Sequence, residues 1–410
     1  MNQNELLPHL FRGEFQKIVA VLSRSLGSEH LQAAEDLTSD TFLLAAETWP
    51  YKGLPQNPTA WLYTVAKNKA RNFIAREQLY ALKIVPAIER ESDEQENVII
   101  DWSAQAISDS QLRMLFVICH PSLSEVSQIA LALRILCGFG IEEISTALSV
   151  SKETVTKRLY RAKDTLRHAT LKIELPPEAQ LEQRLDTVLR VIYLLFSEGY
   201  YSQSSDSIIR NDLCLEAMRL CHLLLQYNPA DLPRVRALMA LMCFHSSRFA
   251  ARTDGNGHCI LYNDQDESQW NQELISRGAY YLHRATEGEQ LSKYHLEASI
   301  AYWHTIKEDS LQKWQQVLTL FDELLVLEYS PIAALNRVYA ISKVFGNKQA
   351  IIEAERLSIT GNYFYHLLLG KLYSSIDRNR ALQEYEKAQI LSGSTTEKRS
   401  IERLLGQLSN

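Results

Sequence analysis

Residues 57–76, NPTAWLYTVAKNKARNFIAR, carry basic and amide side chains at a spacing that could bind a polyanion. When successive residues turn by about 100°, Lys67, Asn68 and Arg71 fall on one arc of a helix. Lysine and arginine neutralise phosphates, and amides form hydrogen bonds to phosphates and base edges. The same pattern is also typical of a core helix with a solvated basic face. Taken alone, the stretch leaves both interpretations open.

A second basic segment, residues 141–168, has the spacing of two helices separated by a tight break. Ser151 is a favoured capping residue for the longer helix. Val155, Leu159, Ala162 and Leu166 share one narrow arc of that helix, which predicts packing against the shorter one. We expect Ile141, Ile144 and Leu148 to receive this stripe. The pattern predicts a helix-turn-helix, although a helical hairpin of an unrelated bundle is the alternative.

In a helix-turn-helix the exposed side chains at the start of the second helix reach the major groove, and basic residues hold phosphates. The predicted base-edge contacts are Lys152, Glu153, Thr156 and Lys157. The predicted phosphate contacts are Arg158, Arg161 and Lys163.

The elements that position these residues are predicted to be all α-helical. The 410 residues include only 15 glycines and 11 prolines, and apolar residues recur at helical spacing. Charge alternates along the chain: residues 52–83 sum to +5, residues 84–110 to −6 and residues 151–172 to +5. We therefore predict helical domains at 1–83 and 111–172, an acidic linker at 84–110, and a further domain at 180–410. Pro176 and Pro177 are expected to stop a long helix before the last domain.

The last domain contains a repeat of 34 residues. Leu335-Asn336-x2-Tyr339 aligns with Leu369-Gly370-x2-Tyr373, and the later copy continues as Ala381-x3-Tyr385-x2-Ala388. This period is typical of tetratricopeptide (TPR) helix pairs, in which small residues let the paired helices approach closely. The pattern predicts a TPR-like helical array.

Two polar stretches, residues 197–206 and 251–270, are unusual for a bare helical scaffold. We consider them a candidate regulatory pocket for a ligand or partner, with a short hairpin through residues 260–262. A buried polar network that fixes repeat packing is the alternative. The candidate pocket residues are Glu198, Arg252, Asp254, Asp264, Gln265 and Asp266.

Several classes of protein lack support in the sequence. The motifs HExxH, GxSxG and the P-loop are absent, and Cys119-His120 are adjacent, which is not how a thiolate–imidazole pair meets. The six cysteines form no CxxC pair, and the EF-hand spacing is absent around Asp254. No apolar run of membrane-spanning length occurs. We therefore expect a cytoplasmic protein that is not an enzyme and has no metal and no cofactor.

The order of three motifs resembles that of the extracytoplasmic-function (ECF) family of RNA polymerase sigma factors. The motifs are AEDLTSDTFLLAAETWP, NPTAWLYTVAKNKARNFIAR and IEEISTALSVSKETVTKRLYRAKDTLR. LFVICHPSLS, RVIYLLFSEGY, ARTDGNGHCILYNDQDESQW and SPIAALNRVYA resemble the subgroup that has a long C-terminal TPR-like extension. The resemblance covers essentially the whole chain.

This resemblance implies binding to core RNA polymerase, through the β′ clamp coiled coil and the β flap, and to promoter DNA. The helix at 34–46 would dock on the clamp through Glu35, Asp36, Leu37, Asp40 and Phe42. The loop before the next helix, with Gln56 and Asn57, and Lys67, Asn68 and Arg71 would hold the melted −10 element. The helix-turn-helix would read the −35 element. The acidic linker would thread near the active-site and RNA-exit channels, unless it is a simple solvated linker.

The C-terminal extension is predicted to regulate the sigma core or to bind a protein or small-ligand partner. A rival hypothesis is a helix-turn-helix regulator or adaptor whose TPR-like part binds proteins and which never acts as a sigma subunit. The two hypotheses differ in whether the protein directs initiation when it is mixed with core polymerase.

Overall fold

The computed structural model describes residues 3–84, 100–148, 150–169, 171–200, 211–252, 260, 262–288, 290–392 and 395–409. Within these ranges the chain forms helices and short helical turns, and it forms no strand. The prediction of an all-α fold is confirmed. The chain divides into two compact units, which we call the N-terminal unit (Met1–Leu194) and the C-terminal unit (Leu195–Asn410).

The N-terminal unit is built around its first helix. Its helices are α1 Gln3–Leu26, α2 Leu31–Lys52, α3 Pro58–Ile84, α4 Ala104–Ile118, α5 Glu125–Leu131, α6 Ile141–Ala147, α7 Lys152–Ala169 and the first part of α8 Glu178–Tyr200. A π-helical segment, Ala132–Leu136, continues α5. Phe15, Ile18 and Leu22 on α1 are fully buried, and α1 packs against α2, α3 and α4. One apolar helix therefore supports the helices that carry the candidate contacts.

The C-terminal unit is a helical array in which consecutive helices pack on one another. Its complete helices are α9 Asn211–Leu225, α10 Pro233–Ser246, α11 Gln272–Ala285, α12 Lys293–Trp303, α13 Leu311–Leu327, α14 Pro331–Phe345, α15 Asn347–Leu357, α16 Tyr363–Tyr373, α17 Arg378–Leu391 and α18 Thr395–Ser409. Gly370 on α16 faces Tyr385 on α17 so closely that an added Cβ would lie 2.6 Å from the ring. Ala381 and Ala388 are fully buried on α17. Small residues thus allow the close helix pairing that the repeat predicted.

Two helix boundaries differ from the sequence-based expectations. α7 already ends at Ala169, so Pro176 and Pro177 precede α8 and do not stop α7. α4 begins at Ala104, inside the stretch predicted as linker, because Ser103 caps it by accepting a hydrogen bond from the Ala106 amide (3.2 Å). Residues 85–99 of that stretch lie outside the described residues.

The division between the two units falls inside α8, later than the predicted link at 172–180. Two side chains in the first part of α8 bind residues of the N-terminal unit. Arg184 donates to the Phe116 carbonyl at 2.5 Å, and Arg190 pairs with Glu125 at 2.6 Å. These contacts explain why the start of α8 belongs to the first unit.

Candidate nucleic-acid and polymerase interface

The helix α3 begins where the sequence predicts. The Asn57 side chain accepts a hydrogen bond from the Ala60 amide at 3.0 Å, and Pro58 occupies the first turn. The preceding α2 ends at Lys52, and Gly53 follows it with a φ of 82°, a conformation that favours glycine. The short loop that follows exposes Gln56 and Asn57. Backbone conformation and capping together place these two residues at the start of α3.

The candidate strand-binding face of α3 lies opposite its buried stripe. Leu62, Ala66 and Ala70 are fully buried, whereas Asn68 and Arg71 are exposed and Lys67 is half-buried. Neither Lys67 nor Arg71 forms an ion pair with any residue that the structure describes. The two cations are therefore available to an external anion.

Lys69 lies between these residues in sequence but has a different environment. Its ammonium lies 3.6 Å from the carboxylate of Asp40 on α2. Its side chain is 29% exposed, and the pair joins α3 to α2 where the two helices pack. This contact explains a lysine that interrupts the apolar arc of the helix.

The helix-turn-helix is formed by α6 and α7. Val155, Leu159, Ala162 and Leu166 are all buried, as the spacing predicted. Ser151 caps α7 by accepting a hydrogen bond from the Thr154 amide at 3.1 Å. Of the residues expected to receive the stripe, Ile144 is buried and Leu148 is half-buried. Ile141 is different: it is 39% exposed, because it is the first residue of its short helix.

All four predicted base-edge residues on α7 are exposed, and their polar groups contact the protein itself. Lys152 lies 2.6 Å from Glu142, and Lys157 lies 2.6 Å from Glu153. The hydrogen bond from Lys152 holds the pKa of the Glu142 carboxyl below its usual value. Thr156 donates to the Lys152 carbonyl at 2.9 Å. Exposed ion pairs contribute little stability, so these side chains can exchange their partners for DNA at small cost.

The predicted phosphate contacts of α7 do not share one environment. Arg161 is exposed and Arg158 is half-buried. Lys163 is turned toward α2, where it donates to the Gln32 side chain at 2.8 Å and pairs with Glu35. Its side chain is only 13% exposed. In this structure Lys163 therefore binds a carboxylate of the same chain.

Glu35, a predicted polymerase contact, is buried between two cations. Its side chain is 3% exposed, it accepts a 2.8 Å hydrogen bond from Arg134 Nε, and its other oxygen pairs with Lys163. Arg134 also donates to the Phe139 carbonyl at 3.1 Å. We call Glu35, Arg134 and Lys163 the ion triad. It ties α2 to α7 and to the π-helical segment.

The other predicted polymerase contacts divide by exposure. Asp36 and Asp40 are exposed and Leu37 is half-buried, whereas Phe42 is buried and packs 5.0 Å from the Phe11 ring. The exposed surface of α2 also carries Leu43, which is 57% exposed, and Tyr51 near its end is 90% exposed. Sequence reasoning missed these two, although an apolar residue outside the buried stripe is the signal that could have found them.

The described candidate regulatory residues of the C-terminal unit differ in exposure and contacts. Asp264 and Asp266 are exposed: Asp264 lies 3.5 Å from Arg403, and Asp266 accepts a hydrogen bond from the Ser268 amide at 2.9 Å. Glu198 is exposed at the end of α8. Asp254 lies outside the described residues. The predicted hairpin is wrong at Tyr262, which belongs to the helical turn Tyr262–Asp264.

Two of the candidate regulatory residues do point inward. Arg252 lies over the Tyr200 ring at 4.0 Å. Gln265 is buried, donates to the Ile260 carbonyl at 3.2 Å and accepts from Lys307 through its own carbonyl at 2.5 Å. The interior beside them contains cations that sequence reasoning missed. Arg248 is 8% exposed and Lys313 is 1% exposed.

The comparison with known proteins agrees with the geometry of the N-terminal unit. Residues 10–80 match the family model for sigma-70 region 2, and residues 115–166 match that for sigma-70 region 4. The ECF RNA polymerase sigma-E factor of Escherichia coli (strain K12) is 30% identical over 109 residues, which cover 26% of this chain and 57% of that protein. The chain is an ECF-type RNA polymerase sigma factor.

Further relatives extend the match beyond these two regions. RNA polymerase sigma factor YlaC of Bacillus subtilis (strain 168) is 25% identical to this chain over 163 residues, which cover 40% of this chain and 91% of that protein. An uncharacterised protein of Rhizobium meliloti (strain 1021) is 32% identical over 385 residues, 93% of this chain and 91% of that protein. Residues 184–286 match a family of unknown function, DUF6596. No solved structure matches the chain.

The sigma factor directs RNA polymerase to promoters, so its candidate sites are interfaces with polymerase and DNA. In the part of the chain that the structure describes, no three histidine, cysteine or acidic side chains are grouped as metal ligands would be. None of the described helices is long and apolar enough to cross a membrane. Sigma factor families are not enzymes.

Proposed function

We propose that the exposed face of α3 holds the melted −10 element of the promoter. Lys67, Asn68 and Arg71 would contact the strand, and Gln56 and Asn57 would contact it from the preceding loop. The observation that carries this proposal is that Lys67 and Arg71 have no carboxylate partner among the described residues, while Lys69, two residues from each, has one. Unpaired cations favour binding of a phosphate backbone, because each phosphate contact releases counterions.

We propose that α7 reads the −35 element as duplex. Lys152, Glu153, Thr156 and Lys157 lie at the exposed start of the helix, where a major groove would meet them, and Arg158 and Arg161 flank them toward the phosphates. Lys163 is placed to serve the ion triad instead. It could contact a phosphate only after its pair with Glu35 is broken.

The polymerase contact is proposed on the exposed face of α2. Asp36 and Asp40 supply charge and Leu43 supplies apolar area, next to the half-buried Leu37. This mixed face suits a basic, amphipathic helix, and we propose the β′ clamp coiled coil as its partner and the β flap as the partner of region 4. Glu35 and Phe42 would support the face from behind, because both are buried.

We propose that the C-terminal unit regulates the sigma core through a partner, and that the protein acts in the cytoplasm without enzymatic activity of its own. The support for regulation is the buried cationic interior around Arg248 and Lys313, which a packing scaffold alone does not need. A helical scaffold is more cheaply stabilised by apolar side chains than by buried charges.

A transcription assay with purified core polymerase tests the promoter and polymerase contacts. The protein is mixed with core polymerase and genomic DNA fragments, and run-off transcripts are sequenced. We expect specific start sites with the wild-type protein and few with Leu43→Asp, because that change places a charge on the proposed docking face. Tight footprinting of duplex DNA by the free protein, with no transcript from any fragment, would show a DNA-binding adaptor instead.

A further inference from the structure

Six side chains of the C-terminal unit alternate between rings and ammonium groups. In spatial order they are Tyr262, Lys313, Trp314, Lys343, Tyr339 and Lys371, which we call the cation–aromatic row. They come from the turn Tyr262–Asp264 and from α13, α14 and α16. The row therefore crosses successive helices of the array and is not confined to one of them.

Each ring of the row lies between two cations. Lys313 Nζ is 5.3 Å from the Tyr262 ring centroid and 5.5 Å from that of Trp314. Lys343 Nζ is 5.5 Å from Trp314 and 5.9 Å from Tyr339, and Lys371 Nζ is 4.7 Å from Tyr339. These distances are those of cation–π contacts. Each ring of Trp314 and Tyr339 thus contacts two ammonium groups.

The row carries more positive than negative charge. Lys343 pairs with Asp309 at 2.7 Å, whereas Lys313 and Lys371 have no carboxylate within ion-pair distance among the described residues. Arg248 extends the row at its inner end, 5.4 Å from the Tyr262 ring, and its buried Nε has no hydrogen-bond partner in the described structure. Lys313, Lys371 and Arg248 therefore have no carboxylate partner among the described residues.

The positive charge of these residues lowers the pKa of nearby basic groups. Burial, and then Arg248 and Lys313, lower the pKa of His304 to about 3. The pKa of Lys313 is itself lowered, first by burial and further by Lys343 and Arg248, although Asp309 opposes the shift. An anion bound at the exposed end of the row would reduce this repulsion.

The row is accessible at one end. Lys313 is buried, Lys343 is 27% exposed, and Lys371 is exposed. Tyr339, between the last two, is half-buried. A ligand could therefore contact Lys371 and Lys343 from solvent without entering the core.

We propose that the cation–aromatic row binds an acidic peptide segment of a partner protein. An extended peptide presents alternate side chains on one face, so two of its carboxylates can meet Lys343 and Lys371 at the exposed end of the row. This inference rests on the proposed regulatory role of the C-terminal unit, because it names the chemistry of the partner through which regulation would act.

A single-stranded nucleic acid is the competing polyanion, and two observations disfavour it. Bases bind such grooves by stacking on open ring faces, but cations already lie against the rings of the row. In addition, residues 195–410 contain 22 lysines and arginines against 25 aspartates and glutamates, so the unit as a whole repels a long nucleic-acid strand more than a short acidic peptide. A peptide that reaches only the row avoids that repulsion.

The test is fluorescence anisotropy with full-length protein and a labelled peptide in which glutamate alternates with serine. We expect saturable binding, weakened roughly fivefold to tenfold by Lys371→Gln, because one charge-assisted contact is lost. Lys348→Gln is the matched control, since Lys348 is an exposed lysine on α15 outside the row. This control is expected to bind as the wild type does.

Three outcomes would overturn the inference: equal binding of the same peptide with glutamine for glutamate, an equal loss with Lys348→Gln, or displacement of the peptide by oligo(dT). Run-off transcription with the same wild-type preparation separates this inference from the sigma contacts. A preparation that transcribes but does not bind the peptide contradicts only the proposed peptide binding by the row. One that binds the peptide but does not transcribe counts against the proposed sigma contacts.

Discussion

In the N-terminal unit a buried carboxylate meets two cations, whereas in the C-terminal unit two buried cations, Arg248 and Lys313, meet no carboxylate among the described residues. Glu35 accepts a hydrogen bond from Arg134 and forms an ion pair with Lys163. Lys313 is satisfied by the Tyr262 hydroxyl at 3.1 Å, the Ile306 carbonyl and ring faces. In the first arrangement the counter-charge lies within the chain, whereas in the second only neutral groups contact the ammonium of Lys313.

The difference separates a structural use of buried charge from a binding use. A paired buried charge is costly to break, because removing one partner leaves the other without compensation. A buried cation held only by neutral groups has already lost its hydration, so an arriving carboxylate regains more interaction energy there than at an exposed lysine. Exposed α3 shows the same contrast, with Lys69 paired and Arg71 unpaired.

The largest effect is expected from breaking the ion triad. Glu35→Ala leaves Arg134 and Lys163 facing each other without the carboxylate, and we expect the N-terminal unit to lose about 3 kcal/mol of unfolding free energy. Urea unfolding of the full chain, followed by circular dichroism, measures the loss. Asp36→Ala, on the exposed side of the same helix turn, should change stability by less than about 0.5 kcal/mol. Equal effects of the two changes would show that the triad contributes no more than a surface charge.

Acidification is expected to destabilise the C-terminal unit next. Burial, followed by Arg248, lowers the pKa of His245, and the pKa of His304 is lowered to about 3. The unfolded chain protonates both histidines below about pH 6.5, whereas the folded unit keeps them neutral, so stability falls as the pH drops through 6.5. At pH 5 we expect a loss of about 1 to 2 kcal/mol from His304.

Thermal unfolding at pH 7.5 and pH 5 checks this expectation, with His304→Gln as the test variant. The variant should lose less stability on acidification than the wild type does. His222→Gln, at an exposed position of α9, is the matched control and should keep the wild-type difference. If His304→Gln also keeps that difference, the cationic interior does not hold His304 neutral.

The smallest expected effect concerns the difference between an unpaired and a paired cation on α3, Arg71 and Lys69. Arg71→Gln should weaken promoter open complexes severalfold and reduce the slope of log affinity against log salt by about 0.7, since one single-strand phosphate contact is lost. Lys69→Gln should leave that slope unchanged, because Lys69 is paired with Asp40. Filter binding of the reconstituted holoenzyme across a salt series compares the two. A larger slope change for Lys69→Gln would reverse the assignment of the DNA-facing side.

Much of the secondary structure could be predicted because its causes are local. The apolar stripe of α7 and the caps at Ser151 and Asn57 depend on residues within a turn or two of one another. The close pairing of α16 and α17 could be anticipated from Gly370 and the repeat spacing. The unit boundary inside α8 could not be predicted, because it depends on contacts of Arg184 and Arg190 with other helices.

The candidate sites were predictable as to residue type but not as to environment. The candidate DNA contacts were chosen by sign of charge and helical arc, and Lys67, Arg71 and Arg161 are free of ion pairs with the described residues. Lys163 met the same criteria, yet it contacts Glu35, which is far away in sequence. The cation–aromatic row was missed altogether, because its members come from different helices and no spacing in the chain connects them.

The sequence by itself determined the helical class, the caps and the order of motifs that identifies a sigma factor, since these depend on neighbouring residues and on motif order alone. The tertiary structure alone decided which charges are paired. Glu35 became a buried structural residue and Lys313 a buried cation without a carboxylate because of the helices that pack around them. Burial and pairing are properties of surfaces brought together by folding, and the energy of a charge depends on those surroundings more than on its type.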